Sequence, residues 1–136
     1  MSQIGTGKGK ASDRPVKRVL IVEDDDDLRA MMQELLIAEG YECIDAEDGL
    51  EALDWLAKVP VDLVVADILM PRMAGPELIA EIRQTSAWAS TRILLLSAYA
   101  ILAPYRDLPV NGILLKPFPL PDFLEKVNEI IGPPAT

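Results

Sequence analysis

Short unbroken apolar runs alternate along this chain with stretches in which apolar residues return every third or fourth position. The first pattern predicts strands buried on both faces and the second predicts amphipathic helices. Val19–Val22 is such a run, and Leu28, Met31, Met32, Leu35 and Leu36 follow it at helical spacing, with Gly40 placed to end the helix. Tyr41–Asp45 reads as a second short strand, and Asp48 as the N-cap of a helix that turns Leu50, Leu53, Trp55 and Leu56 inward. The third strand, Val61–Ala66, ends in Asp67. Beyond it Pro71 breaks the chain, Gly75 permits a turn, and Pro76 opens a helix carrying Leu78, Ile79 and Ile82. Ile93–Leu96 and Gly112–Leu115 are two further strands. Leu120, Phe123, Leu124, Val127, Ile130 and Ile131 form the clearest amphipathic stripe, closed by Gly132-Pro133-Pro134.

Strands that alternate with helices in this way predict an α/β fold, a doubly wound parallel sheet. Ligands of such sheets bind at the carboxyl ends of the strands, near the point where strand order reverses. The polar residues at those ends are therefore the candidates: Glu23 and Asp24 after the first strand, Asp67 after the third, Ser97 after the fourth and Lys116 after the fifth. The acidic run Glu23–Asp27 crowds carboxylates where a buried strand ends. Two carboxylates about 4 Å apart repel by roughly 4 kcal/mol at an effective dielectric near 20, so a shared site invites a proton or a divalent cation. Asp25, Asp26 and Asp27 are read instead as helix N-terminal acids favoured by the helix dipole. The whole set has the ingredients of phosphoryl transfer: a carboxylate nucleophile, acids for a hard cation, a hydroxyl donor and a fixed ammonium.

Composition narrows the setting. A chain of 136 residues builds one core, and 50% hydrophobic with 26% charged residues is ordinary for a globular protein. No apolar stretch approaches the roughly eighteen residues needed to span a bilayer, and no signal-peptide pattern opens the chain. Cys43 is the single cysteine, so no internal disulfide forms, and the absence of histidine removes zinc sites of the usual Cys/His type. A reducing, cytoplasmic location is expected. The net charge of −9 is split, because residues 1–18 hold five Lys/Arg against one Asp and the remainder eight against twenty-one. An acidic globular part disfavours nucleic acid as its partner, and no membrane partner is expected. Residues 1–16 read as a flexible basic arm, 17–131 as the folded domain and 132–136 as a tail. Gly5–Lys10 superficially matches a phosphate loop, but it lacks the spacing, the following Ser/Thr and the preceding strand.

Four segments, taken in order, carry a resemblance: Val19–Asp24, Asp62–Gly75 with its Asp67-Ile68-Leu69-Met70-Pro71 core, Leu94–Ala98 and Lys116-Pro117-Phe118. Together they resemble the receiver domain of bacterial two-component response regulators, over about residues 17–131. The resemblance implies a flavodoxin-like, five-stranded parallel sheet in the order 2-1-3-4-5 with helices on both faces. It implies that Asp67 accepts a phosphoryl group from a histidine kinase or phosphotransfer protein. Glu23, Asp24, Asp67 and the backbone carbonyl of Leu69 would hold Mg²⁺, Ser97 would hydrogen-bond the phosphoryl group, and Lys116 would pair with it. The expected output is phosphorylation-dependent contact with a downstream protein, or a phosphorelay, from a stand-alone receiver that is a monomer or weak dimer. Beyond its own phosphorylation and dephosphorylation it would not be an enzyme.

Several positions depart from the family pattern. Glu23 stands where Asp is usual, and its extra methylene allows a water-mediated mode of ligation. The chain between Ser97 and Lys116 is short, and Pro104 and Pro109 interrupt it, so the fourth helix is expected to be short or irregular. Ile113 occupies the position where the family often has a switch aromatic. A cis Lys116–Pro117 bond is a family expectation that sequence alone only permits. Two alternatives stay open here. One is a degenerate receiver acting as a phosphorylation-independent binding module. The other is a small aspartate-nucleophile phosphatase using the D-x-D pair Asp24 and Asp26.

Overall fold

The computed structural model describes residues 16–70, 72–73, 75–98 and 108–134. Its elements are β1 (Arg18–Val22), α1 (Asp26–Glu39), β2 (Glu42–Ala46), α2 (Gly49–Lys58), β3 (Leu63–Asp67), α3 (Gly75–Gln84), β4 (Arg92–Ser97), β5 (Gly112–Leu115) and α4 (Leu120–Ile131). All strand pairs are parallel, in the order β2-β1-β3-β4-β5, so the expected sheet is present. The basic arm through residue 15, the interrupted segment around Pro104, and Pro71 and Ala74 lie outside the described residues.

The alternation of side chains across the sheet builds two cores, one on each face, where chain length alone predicts one. Leu20, Val22, Val64, Ala66, Ile93 and Leu95 face one way and pack with Ala52 and Leu56 of α2 and Leu78, Ile79 and Ile82 of α3. Val19, Ile21, Leu63, Val65, Leu94 and Leu96 face the other way, against Met32 and Leu36 of α1 and Phe123, Val127 and Ile131 of α4. Strands covered on both faces need continuous apolar runs, which is why β1, β3 and β4 carried the strongest sequence signal. Each fully buried Val, Leu or Ile contributes about 1.5–3 kcal/mol, so this double core is the main source of stability.

Element ends follow local chemistry. Asp25 caps α1 by accepting from the Asp27 and Leu28 amides at 3.0 and 3.1 Å. Gly40, at φ 107°, closes the same helix in the left-handed region. Asp48 caps α2 as its sequence predicts. Four strands differ from expectation at their ends, β1 beginning at Arg18 rather than Val19 and β2 running on to Ala46. β2 begins at Glu42 rather than Tyr41, and β4 extends by one residue at each end, to Arg92 and Ser97. β3 starts at Leu63 and takes in Asp67. Asp62 precedes that strand, its carboxylate accepting from the Arg18 amide at 2.7 Å. Leu50 and Met31 do not face the core: they are 43% and 47% exposed. The buried lines run through Gly49, Ala52 and Leu56 on α2 and through Met32 and Leu36 on α1. One residue away on a helix is about 100° around the axis, enough to leave a leucine outside.

The start of the domain is tied to its end. Lys17 Nζ donates to the Ile131 carbonyl at 2.6 Å and the Pro133 carbonyl at 3.0 Å, neutralising the negative end of the α4 dipole. Tyr41, buried beside α4, puts its hydroxyl against Asn128 Oδ1 and, at 2.7 Å, the Gly132 carbonyl. One hydroxyl has one proton, so turning the Asn128 amide to present its NH₂ satisfies both contacts, with Tyr41 donating to Gly132. Burial, with the Glu39 charge adding to it, pushes the Tyr41 phenol from 10.0 up to about 12. The folded state therefore holds a proton that the unfolded chain releases, and stability from this group is complete below pH 10 and is lost as pH rises towards 12. Tyr41→Phe is expected to cost about 1 kcal/mol at neutral pH. Between pH 10 and 12 the wild type should lose stability more steeply than Tyr41→Phe, by about 2–3 kcal/mol over that window. Urea titrations of both proteins across that range check this, and parallel slopes would refute it.

Candidate functional site

Strand register brings the candidates to one pole of the sheet. Val22 pairs with Ala66, so Glu23 leaves β1 alongside Asp67 at the end of β3. Asp67 pairs with Leu96, and Ser97 with Leu115, so Lys116 leaves β5 immediately beyond the serine. The Lys116 amide donates to the Ser97 carbonyl at 2.6 Å, and the Lys116–Pro117 bond is cis. Glu23, Asp67 and Ser97 are buried, while Asp24 is exposed.

A lysine answers the charge of the acids. Lys116 Nζ donates to Glu23 Oε1 at 2.9 Å and to Asp67 Oδ2. The other Asp67 oxygen accepts from the Leu69 amide at 3.1 Å, so both oxygens of this carboxylate are oriented. Burial raises the Glu23 carboxyl above its ordinary range, opposed by its hydrogen bonds from Lys116 and the Asp25 amide. For Lys116, burial pulls downward, but the bonds to Asp67 and Glu23 outweigh it and the ammonium is held above its ordinary value.

Glu23, Asp24 and Asp67 each offer one carboxylate oxygen, and these atoms lie within 4.8 Å of one another. A donor set of hard oxygens alone fits Mg²⁺, which takes one or two carboxylates and keeps several waters. The exposed Asp24 leaves the solvent side open for those waters. Leu69, two residues past Asp67, is 52% exposed at the rim. Asp26 is not part of the three-acid cluster; it pairs with Arg29 at 2.6 Å, which leaves the D-x-D arrangement without a second site acid. Ile113 is half-buried and packs against the core shared by α2 and α3.

Two cations escaped the sequence reading. Arg29 Nη1 donates to the Glu23 carbonyl at 2.6 Å, and its guanidinium also meets Asp26 and, at 3.4 Å, Asp45. Burial would lower this guanidinium, but its bond to Asp26 prevails and holds it above its ordinary value. The i, i+3 spacing of Asp26 and Arg29 was the available signal. Arg72 reaches Asp48, and nothing in the sequence pairs those two positions.

The family model of the response regulator receiver domain matches residues 19–128. The chemotaxis protein CheY of Bacillus subtilis is 34% identical over 119 residues, which are 85% of this chain and 98% of that protein. The sensor histidine kinase TmoS of Ectopseudomonas mendocina is 34% identical over 124 residues, 89% of this chain but only 12% of the kinase. Among solved structures, the response regulator protein TrrA of Thermotoga maritima, in complex with Mg²⁺-BeF, superposes with a TM-score of 0.75 at 35% identity, covering 84% of this chain and 98% of its own. With strand order, acid cluster and family model in agreement, this chain belongs to the response regulator receiver domain family.

Proposed function

We propose that this chain takes a phosphoryl group on Asp67 from a histidine kinase or phosphotransfer protein and signals through phosphorylation-dependent protein contact or a phosphorelay. One observation carries the reading: Asp67 sits within 4.8 Å of two further acids, with the Lys116 ammonium on its carboxylate. An oxygen of Asp67 attacks phosphorus, the bond from phosphorus to the donor's imidazole nitrogen breaks, and that nitrogen keeps the electron pair and is protonated. Acyl-phosphate formation is mainly positioning and charge neutralisation, which this chain supplies with fixed groups.

Lys116 bonds Asp67, which supports its pairing with the phosphoryl oxygens once they are attached. Ser97, buried at the end of β4, is the hydroxyl donor for the same group. Glu23, Asp24, Asp67 and the Leu69 carbonyl would hold Mg²⁺, which would neutralise charge on the transferring oxygens; the Mg²⁺-BeF complex of TrrA supports a Mg²⁺ centre in this family. Glu23, bonded to Lys116 and the Asp25 amide, acts from behind the exposed Asp24. The added charge of about −1.5 to −2 alters what this pole presents to a partner. No helix among the described residues is long and apolar enough to cross a membrane. The proposed setting is the cytoplasm, with residues 17–131 as the receiver and residues 1–16 and 132–136 as its flanking arm and tail. Its output is a protein contact rather than chemistry on other substrates, made by a monomer or weak dimer.

The test is intact-protein mass after incubation with acetyl phosphate and Mg²⁺. A phosphate-sized gain, absent with a chelator, supports the reading. No gain under conditions that modify another receiver would replace it with a binding module that needs no phosphorylation.

A further inference from the structure

The connection from β3 to α3 is fastened at points outside the acid cluster. Ile68 is held by β4, its amide donating to the Leu96 carbonyl at 2.9 Å, and its own carbonyl accepts from the Gly75 amide at 2.9 Å. A Cβ on Gly75 would come within 2.5 Å of the Asp67 carbonyl oxygen, so α3 starts directly over the end of β3. Farther out, Arg72 Nε donates to Asp48 Oδ2 at 2.6 Å, and its Nη2 meets the same oxygen. Asp48 is 4% exposed and uses its other oxygen to cap α2, accepting from the Glu51 amide at 2.9 Å. Met73 closes on the same helix: a Cβ on Gly49 would lie 2.8 Å from its Cβ and Cγ.

Arg72 makes this reach from φ 65°, a left-handed conformation that is unfavourable for a long side chain. Among the described residues it is the one non-glycine with positive φ. A strained backbone persists where surrounding contacts over-determine it. Here the contact is an ion pair whose acid is buried and already fixed by its helix. Arg72 itself is 62% exposed along its side chain. Leu69 lies between the fastening at Ile68 and the one at Arg72.

We propose that Arg72 and Asp48 form a latch that positions the β3–α3 connection, so that the Leu69 carbonyl is preset towards the cation site. The proposal rests on the reading of that site as a Mg²⁺ centre. Arg72 is a positioning residue: it acts through Leu69 and touches none of the three acids' assigned chemistry. Asp48 thereby has two roles, capping α2 with one oxygen and holding the latch with the other.

Three variants test it. Asp48→Asn keeps an amide oxygen for the Glu51 amide and loses the ion pair. Arg72→Asn tolerates the positive φ but is too short to reach Asp48. Arg72→Lys retains a cation. Amide exchange at Leu69 and Gly75, measured without Mg²⁺, reports the latch itself. Calorimetric titration with Mg²⁺ reports its effect on the site, with Asp67→Asn as the control, and urea titration reports global stability.

Asp48→Asn and Arg72→Asn are each expected to speed exchange at both amides and to weaken Mg²⁺ about tenfold, the lower end of what removing a supporting group costs a metal site. The double variant should be no worse than either single one, because one interaction is being removed twice. Arg72→Lys should recover part of the affinity. Arg72→Asn should keep the wild-type urea midpoint while its affinity falls, a split that a merely structural role would not produce. Unchanged exchange, or wild-type Mg²⁺ affinity in Arg72→Asn, overturns the latch. If the wild type itself shows no Mg²⁺ binding that Asp67→Asn removes, the Mg²⁺ reading fails and the latch proposal falls with it.

Discussion

Asp67→Asn is expected to take up no phosphoryl group from acetyl phosphate under conditions that modify the wild type, while unfolding at the same urea concentration or a higher one. Lys116 and the Leu69 amide bond different oxygens of the carboxylate, so the single amide oxygen of asparagine keeps one of these two bonds and its NH₂ faces the other donor. What is lost is the nucleophile's charge and one of three acids within 4.8 Å of each other. At that separation each carboxylate pair repels by roughly 3.5 kcal/mol at an effective dielectric near 20. Relief of two such repulsions offsets the weakened attraction to Lys116 and the one hydrogen bond lost, so the fold does not suffer. Intact mass and a urea titration on one sample check both halves. A phosphate-sized gain that survives the substitution would move the acceptor elsewhere, with Asp24 the first place to look. A lowered midpoint would mean that lost uptake reflects unfolding.

Lys116→Met should have the largest effect on stability. Its ammonium bridges Glu23, whose side chain is 1% exposed, and Asp67, whose side chain is 11% exposed. Removing one partner of a buried ion pair typically costs 3–5 kcal/mol, because the remaining charge stays in a medium that solvates it poorly. Lys116 is itself 20% exposed, which places the expected loss near the lower end, about 3 kcal/mol without Mg²⁺. Adding Mg²⁺ should recover part of it, since a cation bound by the folded state alone stabilises by mass action. Chemical denaturation with and without Mg²⁺ decides the matter. A loss under about 1 kcal/mol would mean that water already screens these acids. A deficit indifferent to Mg²⁺ would argue that Lys116 and the cation do not share the same carboxylates.

The fold was legible wherever burial on both faces left an unbroken apolar run, as at Val19–Val22, Leu63–Ala66 and Ile93–Leu96. It was equally legible in α4, whose stripe from Leu120 to Ile131 repeats at helical spacing. Leu50 misled because a leucine one position off a narrow buried line looks the same in sequence as one on it. The small Ala52, fully buried, occupies the inward line instead. At the site, acids and lysine were legible because charged residues that end apolar strands have few structural reasons to be there. The cations around them were not. Arg29 needed the turn of α1 to aim it back at the Glu23 carbonyl. Arg72 needed a left-handed backbone and a partner twenty-four positions away, and neither leaves a mark on local composition.

Lys17 precedes β1, and the carbonyls it binds belong to the last residue of α4 and to Pro133 just after it, so the two ends of the described domain lie together at the amino ends of the strands. The acid cluster lies at the opposite pole, about 16 Å away along a five-residue strand. Lys17 and Pro133 thus sit at the far end of the sheet from Asp67. That geometry suits a unit whose relatives include both a protein of about its own size and a kinase of which it matches only 12%.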